Sequence, residues 1–298
     1  MKKMLFSLLT VTLTGCLNPH TPLDHWKAGS ANDDVFLDMT QAEMDALAQN
    51  GLSLLEIDWP YATEKTPEEI TAWALAAKAH ADKAGITVWS VHLPFGGAYD
   101  ISQTDDSLRR QAVELNKHDM QLCARLVAPQ KFIIHPSAEP IGDEERAARI
   151  AASKKSLKEL APVAKELNVT LLVENLPRTC LGNTSAELVD IIDGIENTAI
   201  CFDVNHLLIE SQASFVQNTK GKIQSTHMSD YDRKNERHWL PGEGVIDWNG
   251  LLHALVGSGY PGPFIYEASK GKEPRLVSIR TLGDRWKKLK KEYAEVFH

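Results

Sequence analysis

The chain has 298 residues, 43% hydrophobic and 24% charged, a globular composition that excludes a disordered polypeptide and leaves room for one large barrel or two ordinary domains. Its formal net charge is −8, and removal of residues 1–15, whose only charges are Lys2 and Lys3, leaves −10. Such an acidic balance opposes the phosphate neutralisation that nucleic-acid binding needs, so no nucleic-acid partner is expected.

The first segments in chain order are not expected to be part of a fold. Lys2 and Lys3 precede the apolar run 4–13, which has signal-peptide length and is too short to span a bilayer. The run ends in Leu13-Thr14-Gly15-Cys16, which resembles a bacterial lipoprotein signal. That resemblance implies cleavage before Cys16, a diacylglycerol on its thiol, and a mature protein anchored in the cell envelope; Leu17 at the next position directs it to the outer membrane. The alternative is an ordinary secretory signal in which Cys16 is incidental. Residues 1–15 are thus expected to be a signal peptide, 16–26 a lipid-anchored tether containing Pro19 and Pro22, and 27–298 the folded domain. Cys123, Cys180 and Cys201 are odd in number and form no CxxC pair, so neither a disulfide framework nor a thiolate zinc site is indicated.

From there strand-like and helix-like segments alternate. Apolar runs at 52–58, 87–95, 131–136, 170–176, 199–208, 223–229 and 263–268 read as strands, and the first strand is expected near 26–30. Helical patterns cover 66–84, 105–128, 143–167, 185–192 and 246–257. Pro67-Glu68-Glu69 places proline and two acids in a first helical turn, and Asn183-Thr184-Ser185 is a cap signal. Near-continuous apolar strands alternating with helices predict a parallel sheet covered on both faces. No GxGxxG or Walker pattern follows an early strand, which favours a closed (β/α)₈ TIM barrel over an open doubly wound sheet. The basic stretch 285–291 reads as the solvated face of the last barrel helix.

Nearly every predicted strand ends in a metal-capable or acid/base residue: Glu56 and Asp58, His92, His135, Glu174, Asp203 and His206, His227, and Glu267. A lone polar residue at a strand end is usually a hydrogen-bonded rim group. A set of them at the same end of successive strands converges on one mouth of a barrel, the face where barrel enzymes carry out their chemistry. Carboxylates and imidazoles without thiolates suit a divalent ion: Mn²⁺, Mg²⁺ or Co²⁺ first, with Zn²⁺ as an alternative.

On these residues the sequence resembles the xylose isomerase-like barrel superfamily of sugar isomerases and epimerases, from about Trp26 to Ala268. The segment His238-Trp239-Leu240-Pro241-Gly242-Glu243-Gly244, followed by Asp247-Trp248, is similar to that family's loop after strand 7. The resemblance implies that Glu174, Asp203, His227 and Glu267 bind a catalytic metal. It also implies that Glu174 and Glu267 form the acid/base pair that moves a proton beside a sugar carbonyl, with metal ligation stabilising the enediolate. His206, His92, His135, His238 and Arg233 are then expected to contact the sugar; for His206, orienting Asp203 is an equal alternative. Extra residues separate Arg233 from the Pro-Gly-Glu-Gly turn, which leaves Arg237 an equal candidate and a solvated loop arginine another reading of either. Trp59, Trp89, Phe95 and Trp239 lie near strand ends or loops, where they either stack on a sugar or pack.

Two other readings stay open. The superfamily includes apurinic endonucleases that hold three zinc ions, and His92, His135, His206 and His238, with Glu236 in place of an Asp, nearly complete that ligand set. A lipoprotein that binds a sugar without turning it over is the second.

Overall fold

The computed structural model describes residues 21–297 except 33–34, 37, 62–64 and 273–276. The signal-like run and Cys16 lie outside the described residues. The last part of the expected tether is packed: Pro22–His25 forms a 3₁₀ turn, Leu23 is fully buried, and Trp26 meets Tyr260 edge-on at 5.2 Å.

The apolar runs form eight strands: β1 (Ala28–Ala31), β2 (Leu52–Asp58), β3 (Thr87–His92), β4 (Lys131–Ile134), β5 (Thr170–Glu174), β6 (Thr198–Asp203), β7 (Ile223–His227) and β8 (Phe264–Tyr266). Sequence neighbours from β1 to β7 pair in parallel, and β1 also pairs with β8. A single parallel bridge between Met228 and Tyr266, with the Met228 N–H donating to Ile265 O at 2.8 Å, joins β7 to β8. The helices are α1 (Gln41–Gln49), α2 (Pro67–Ala84), α3 (Asp106–Leu126), α4 (Asp143–Glu166), α5 (Ser185–Ile192), α6 (Gln212–Asn218), α7 (Trp248–Ser258) and α8 (Ile279–Phe297). The architecture is a (β/α)₈ TIM barrel.

Local chemistry sets the boundaries. Thr66 and Glu69 form a reciprocal capping box at the start of α2, with Pro67 in its first turn, and Gly85 ends that helix at φ 73. Thr40 and Glu43 do the same for α1, a helix absent from the periodicity reading. β3 stops at His92, short of the expected 95, because Pro94 cannot donate to a ladder. β6 stops at Asp203, whose side chain turns the chain by accepting from Asn205 N at 2.6 Å and His206 N at 2.9 Å.

Alternate strand residues face opposite ways. Ile133, Leu172, Ala199 and Cys201 form an apolar cluster separate from the main core, in which their strand neighbours Phe132, Leu171, Ile200 and Phe202 pack. Two residues further along, on the same faces as Ile133, Leu172 and Cys201, stand His135, Glu174 and Asp203. These three polar residues therefore sit one pleat above the apolar plug, at the C-terminal mouth.

Gly29 sets the closest approach between strands. A Cβ there would lie 2.3 Å from Leu54 O and 2.5 Å from Leu54 Cβ, where the β1/β2 register shifts. Replacing it with alanine is expected to cost about 1–3 kcal/mol through overpacking. The urea midpoint of Gly29→Ala should fall with its slope unchanged; an unchanged midpoint contradicts the close packing.

Candidate metal and active site

Glu174, Asp203, His227 and Glu267 each offer one ligand atom, and these atoms lie within 4.8 Å of one another. From His227 Nδ1 the distances are 2.9 Å to Glu174 Oε1, 3.6 Å to Glu267 Oε2 and 3.9 Å to Asp203 Oδ2. The backbone holds the set in place. Asn175 Nδ2 donates to Asp203 O and the Asp203 N–H donates to Asn175 Oδ1, both at 2.8 Å, which locks the end of β5 to the end of β6. With Asp203 Oδ1 committed to the turn after β6, Asp203 Oδ2 and Glu267 Oε2 are buried oxygens without a hydrogen-bond donor. Three carboxylates and an imidazole around one point, with orphaned oxygens facing it, fit a divalent cation.

The imidazole of His227 has a partner on its other side. Its Nε2 lies 2.9 Å from Glu56 Oε1, and Glu56 Oε2 accepts from Ser90 Oγ at 2.5 Å. Glu56 and His227 are fully buried. Glu56 therefore lies under the cluster, behind the His227 imidazole rather than beside the other three carboxylates. Burial alone would raise the Glu56 carboxyl, but the His227 imidazole outweighs it and holds Glu56 below its ordinary value. Burial likewise opposes a charged His227. The Cys201 thiol and the Glu56, Glu174 and Glu267 carboxylates around it prevail and push its pKa well up.

The two candidate acid/base carboxylates are driven apart. Against the burial cost, His227, His135 and His92 hold Glu174 well below the ordinary carboxylate range. Burial, against the pull of His227 and with the push of Asp203 and Glu174, raises Glu267 well above it.

A ring of imidazoles surrounds this floor. His92 Nε2 and His135 Nε2 each lie 3.1 Å from Glu174 Oε2. His206 Nε2 lies 3.2 Å from Glu236 Oε2. Nδ1 of His92, His206 and His238 lies 3.0 Å from Leu93 O, 2.9 Å from Asn175 O and 3.1 Å from Glu267 O respectively. A carbonyl only accepts, so each Nδ1 carries the hydrogen and each Nε2 is turned to the mouth. Two further ligand-capable groups result, His92–His135–Glu174 and His206–Glu236–His238. Burial lowers His135 to about 4. His206 rises to about 9, where Asp203 and Glu236 overcome the burial cost, and Glu236, bonded to His206, falls to about 2.

The ring opens into a cavity of about 510 Å³ lined also by Asp58, Phe95 and Arg178. His92, His135, His206 and His238 thus line one mouth, with His227 fully buried beneath it. Arg233 does not line that cavity: its Nη2 donates to Glu210 O at 3.4 Å and the residue is exposed. Arg237 is exposed as well, paired with Asp232 at 2.8 Å. The arginine of the wall is Arg178, between Glu139 and Glu236 with Nη1 2.9 Å from Glu236 Oε1. It lies in the loop after β5, beyond any periodic segment. Asp230, also unassigned from sequence, organises the loop after β7 by accepting from Gly242 N and Trp248 Nε1, both at 2.8 Å, and from Tyr231 N at 2.9 Å.

A carboxylate behind a ligating imidazole fixes its tautomer and orientation. Glu56→Gln is expected to weaken divalent-metal affinity by about 10–100-fold, measured by calorimetry on the chelator-treated chain. An affinity equal to that of the unmutated chain would remove Glu56 from the site.

The family description "Xylose isomerase-like TIM barrel" matches residues 44–289. A D-psicose 3-epimerase from Ruminiclostridium cellulolyticum is 27% identical over 241 residues, covering 75% of this chain and 76% of that protein. A ketose 3-epimerase from Arthrobacter globiformis is 26% identical over 186 residues, 60% of this chain and 63% of the relative. The crystal structure of a D-tagatose 3-epimerase-like protein superposes with a TM-score of 0.72 at 22% identity, covering 91% of this chain and 97% of that one. With the match spanning the barrel from α1 to α8, the chain belongs to the xylose isomerase-like TIM barrel family.

Proposed function

We propose that the protein is a divalent-metal-dependent sugar isomerase or epimerase that moves a proton beside the carbonyl of a keto-sugar. The observation that carries this reading is the convergence of Glu174, Asp203, His227 and Glu267 on one point, with two of those carboxylates at the floor of a sugar-sized cavity. The similarity to ketose 3-epimerases supports the substrate class.

In this reading Glu174, held as a carboxylate by its imidazoles, takes the proton from the carbon beside the carbonyl. Glu267, the second carboxylate at the cavity floor, returns one to the opposite face or to the neighbouring carbon. A bound Mn²⁺, Mg²⁺ or Co²⁺ supplies Lewis-acid stabilisation of the charge that develops on the sugar oxygens. His92, His135, His206 and His238 turn Nε2 toward the cavity and serve as hydrogen-bonding partners for hydroxyls.

The two further ligand groups favour a second reading, a three-zinc phosphodiesterase centre. It differs in stoichiometry, three ions per chain rather than one. Two features weigh against it: a net charge of −8, and the pairing of Glu236 with Arg178, which a cation in the His206–Glu236–His238 group has to share.

Incubation with a ketose in D₂O tests the main reading. The unmutated chain should place deuterium on the carbon beside the carbonyl. Glu174→Gln should lower that rate by about 10²–10⁴-fold while D-tagatose binding persists. Sugar binding by the unmutated chain without exchange into any ketose or keto-glycoside would make it a binding protein instead.

A further inference from the structure

The mouth cavity does not end at the His92 and His135 imidazoles. Phe95, Gly96 and Gly97 line it and also line a second cavity of about 390 Å³, walled further by Tyr61, Ala98, Tyr99 and Leu115. Phe95 stands between the two. Its ring stacks on His135 at 4.2 Å and 24°, yet the residue is 47% exposed. Tyr61 meets Phe95 edge-on at 6.4 Å and Tyr99 at 5.8 Å, and its hydroxyl donates to Phe95 O at 2.9 Å. Gly96 and Gly97 have φ 70 and 49, and a Cβ at either would meet open space, so no side chain on this stretch closes the seam.

The chemistry of the two cavities differs. The first is ringed by imidazoles and carboxylates that pair with hydroxyls. The second is walled by aromatic rings and small aliphatic side chains, with the Tyr61 hydroxyl already donating to Phe95 O, so it suits an apolar group better than a hydroxyl that would give up water to enter it. A flat apolar ring would gain burial and edge or face contacts with Phe95, Tyr61 and Tyr99. A ligand that spans both has a polyhydroxylated end and an apolar end.

We propose that the substrate is a keto-glycoside whose sugar ring occupies the mouth and whose apolar, planar aglycone lodges in the cleft of Tyr61, Phe95, Tyr99 and Leu115. This rests on the sugar isomerase or epimerase reading and narrows its substrate. In a glycoside the anomeric carbon is locked as an acetal, so the carbonyl beside the abstracted proton is a ring carbon oxidised from a secondary alcohol. The proton transfer itself removes one proton from carbon and returns one, and is redox-neutral. The reaction that supplies the substrate is therefore an oxidation of a ring hydroxyl, its two electrons passing to an acceptor in that earlier step.

Equilibrium binding of phenyl and methyl β-D-glucopyranoside to the full chain tests the cleft, because neither sugar has a carbonyl to react. The phenyl glycoside is expected to bind about tenfold tighter or more. Leu115→Asp and Ala98→Trp, one making the wall polar and the other filling the cleft, should each reduce that preference to about twofold or less and leave methyl glycoside binding unchanged. Equal affinities, no binding of either glycoside, or a preference that survives both substitutions overturns the proposal. Failure of the underlying reading registers separately, as absence of deuterium exchange into phenyl 3-keto-β-D-glucopyranoside and free ketoses with the phenyl preference intact. Exchange into free ketoses without a phenyl preference overturns the glycoside proposal alone.

Discussion

The Glu174 carboxylate is buried at the end of an apolar strand, where an unpaired charge would be strongly destabilising. Its two oxygens are divided: Oε1 faces His227 Nδ1 at 2.9 Å, and Oε2 faces His92 and His135 at 3.1 Å each. Three strands besides β5 thus direct an imidazole or its loop to one side chain. The rest of the mouth is built around that arrangement. Glu56 and Ser90 support His227 from below, Asn175 ties Asp203 to the same strand end, and backbone carbonyls orient the remaining imidazoles. Each layer removes a degree of freedom from a group that has to meet a ligand in one geometry.

The pleat explains why so much of this was legible in the residues. A strand buried on both faces leaves an apolar run, and the polar residue that ends it stands at the barrel mouth whichever helix follows. His92, His135, Glu174, Asp203 and His227 are therefore legible in the sequence as strand-end polar residues. The same rule does not rank two polar residues on one strand. Glu56 and Asp58 share a face, but Asp58 lines the cavity and Glu56 is one pleat lower, where it backs the His227 imidazole.

Loops carried less information. Arg233 and Arg237 are equal candidates in sequence for a sugar-facing cation, and nothing there singles out Arg178. Their placement depends on turns fixed by Asp230 and Asp232 after β7 and by the loop after β5, and no periodicity encodes those turns. β1, Ala-Gly-Ser-Ala, carries Gly29 where close approach to Leu54 requires it, and with only small residues its apolar signal is weak. α6 has seven residues, too few to show a helical period. Phe95 was one of four aromatics near strand ends. Trp59 is buried against Trp73 and Trp89 donates to Ser225, whereas Phe95 alone of the four lines the mouth cavity.

A single divalent ion held by Glu174, Asp203, His227 and Glu267 can be counted by elemental analysis of the purified chain, cut after Cys16. The proposed centre predicts about one Mn, Mg or Co per chain, lost on Asp203→Asn. Near three zinc per chain would contradict the single-ion centre, and metal-free chain that takes up none of these ions would contradict a metal site altogether.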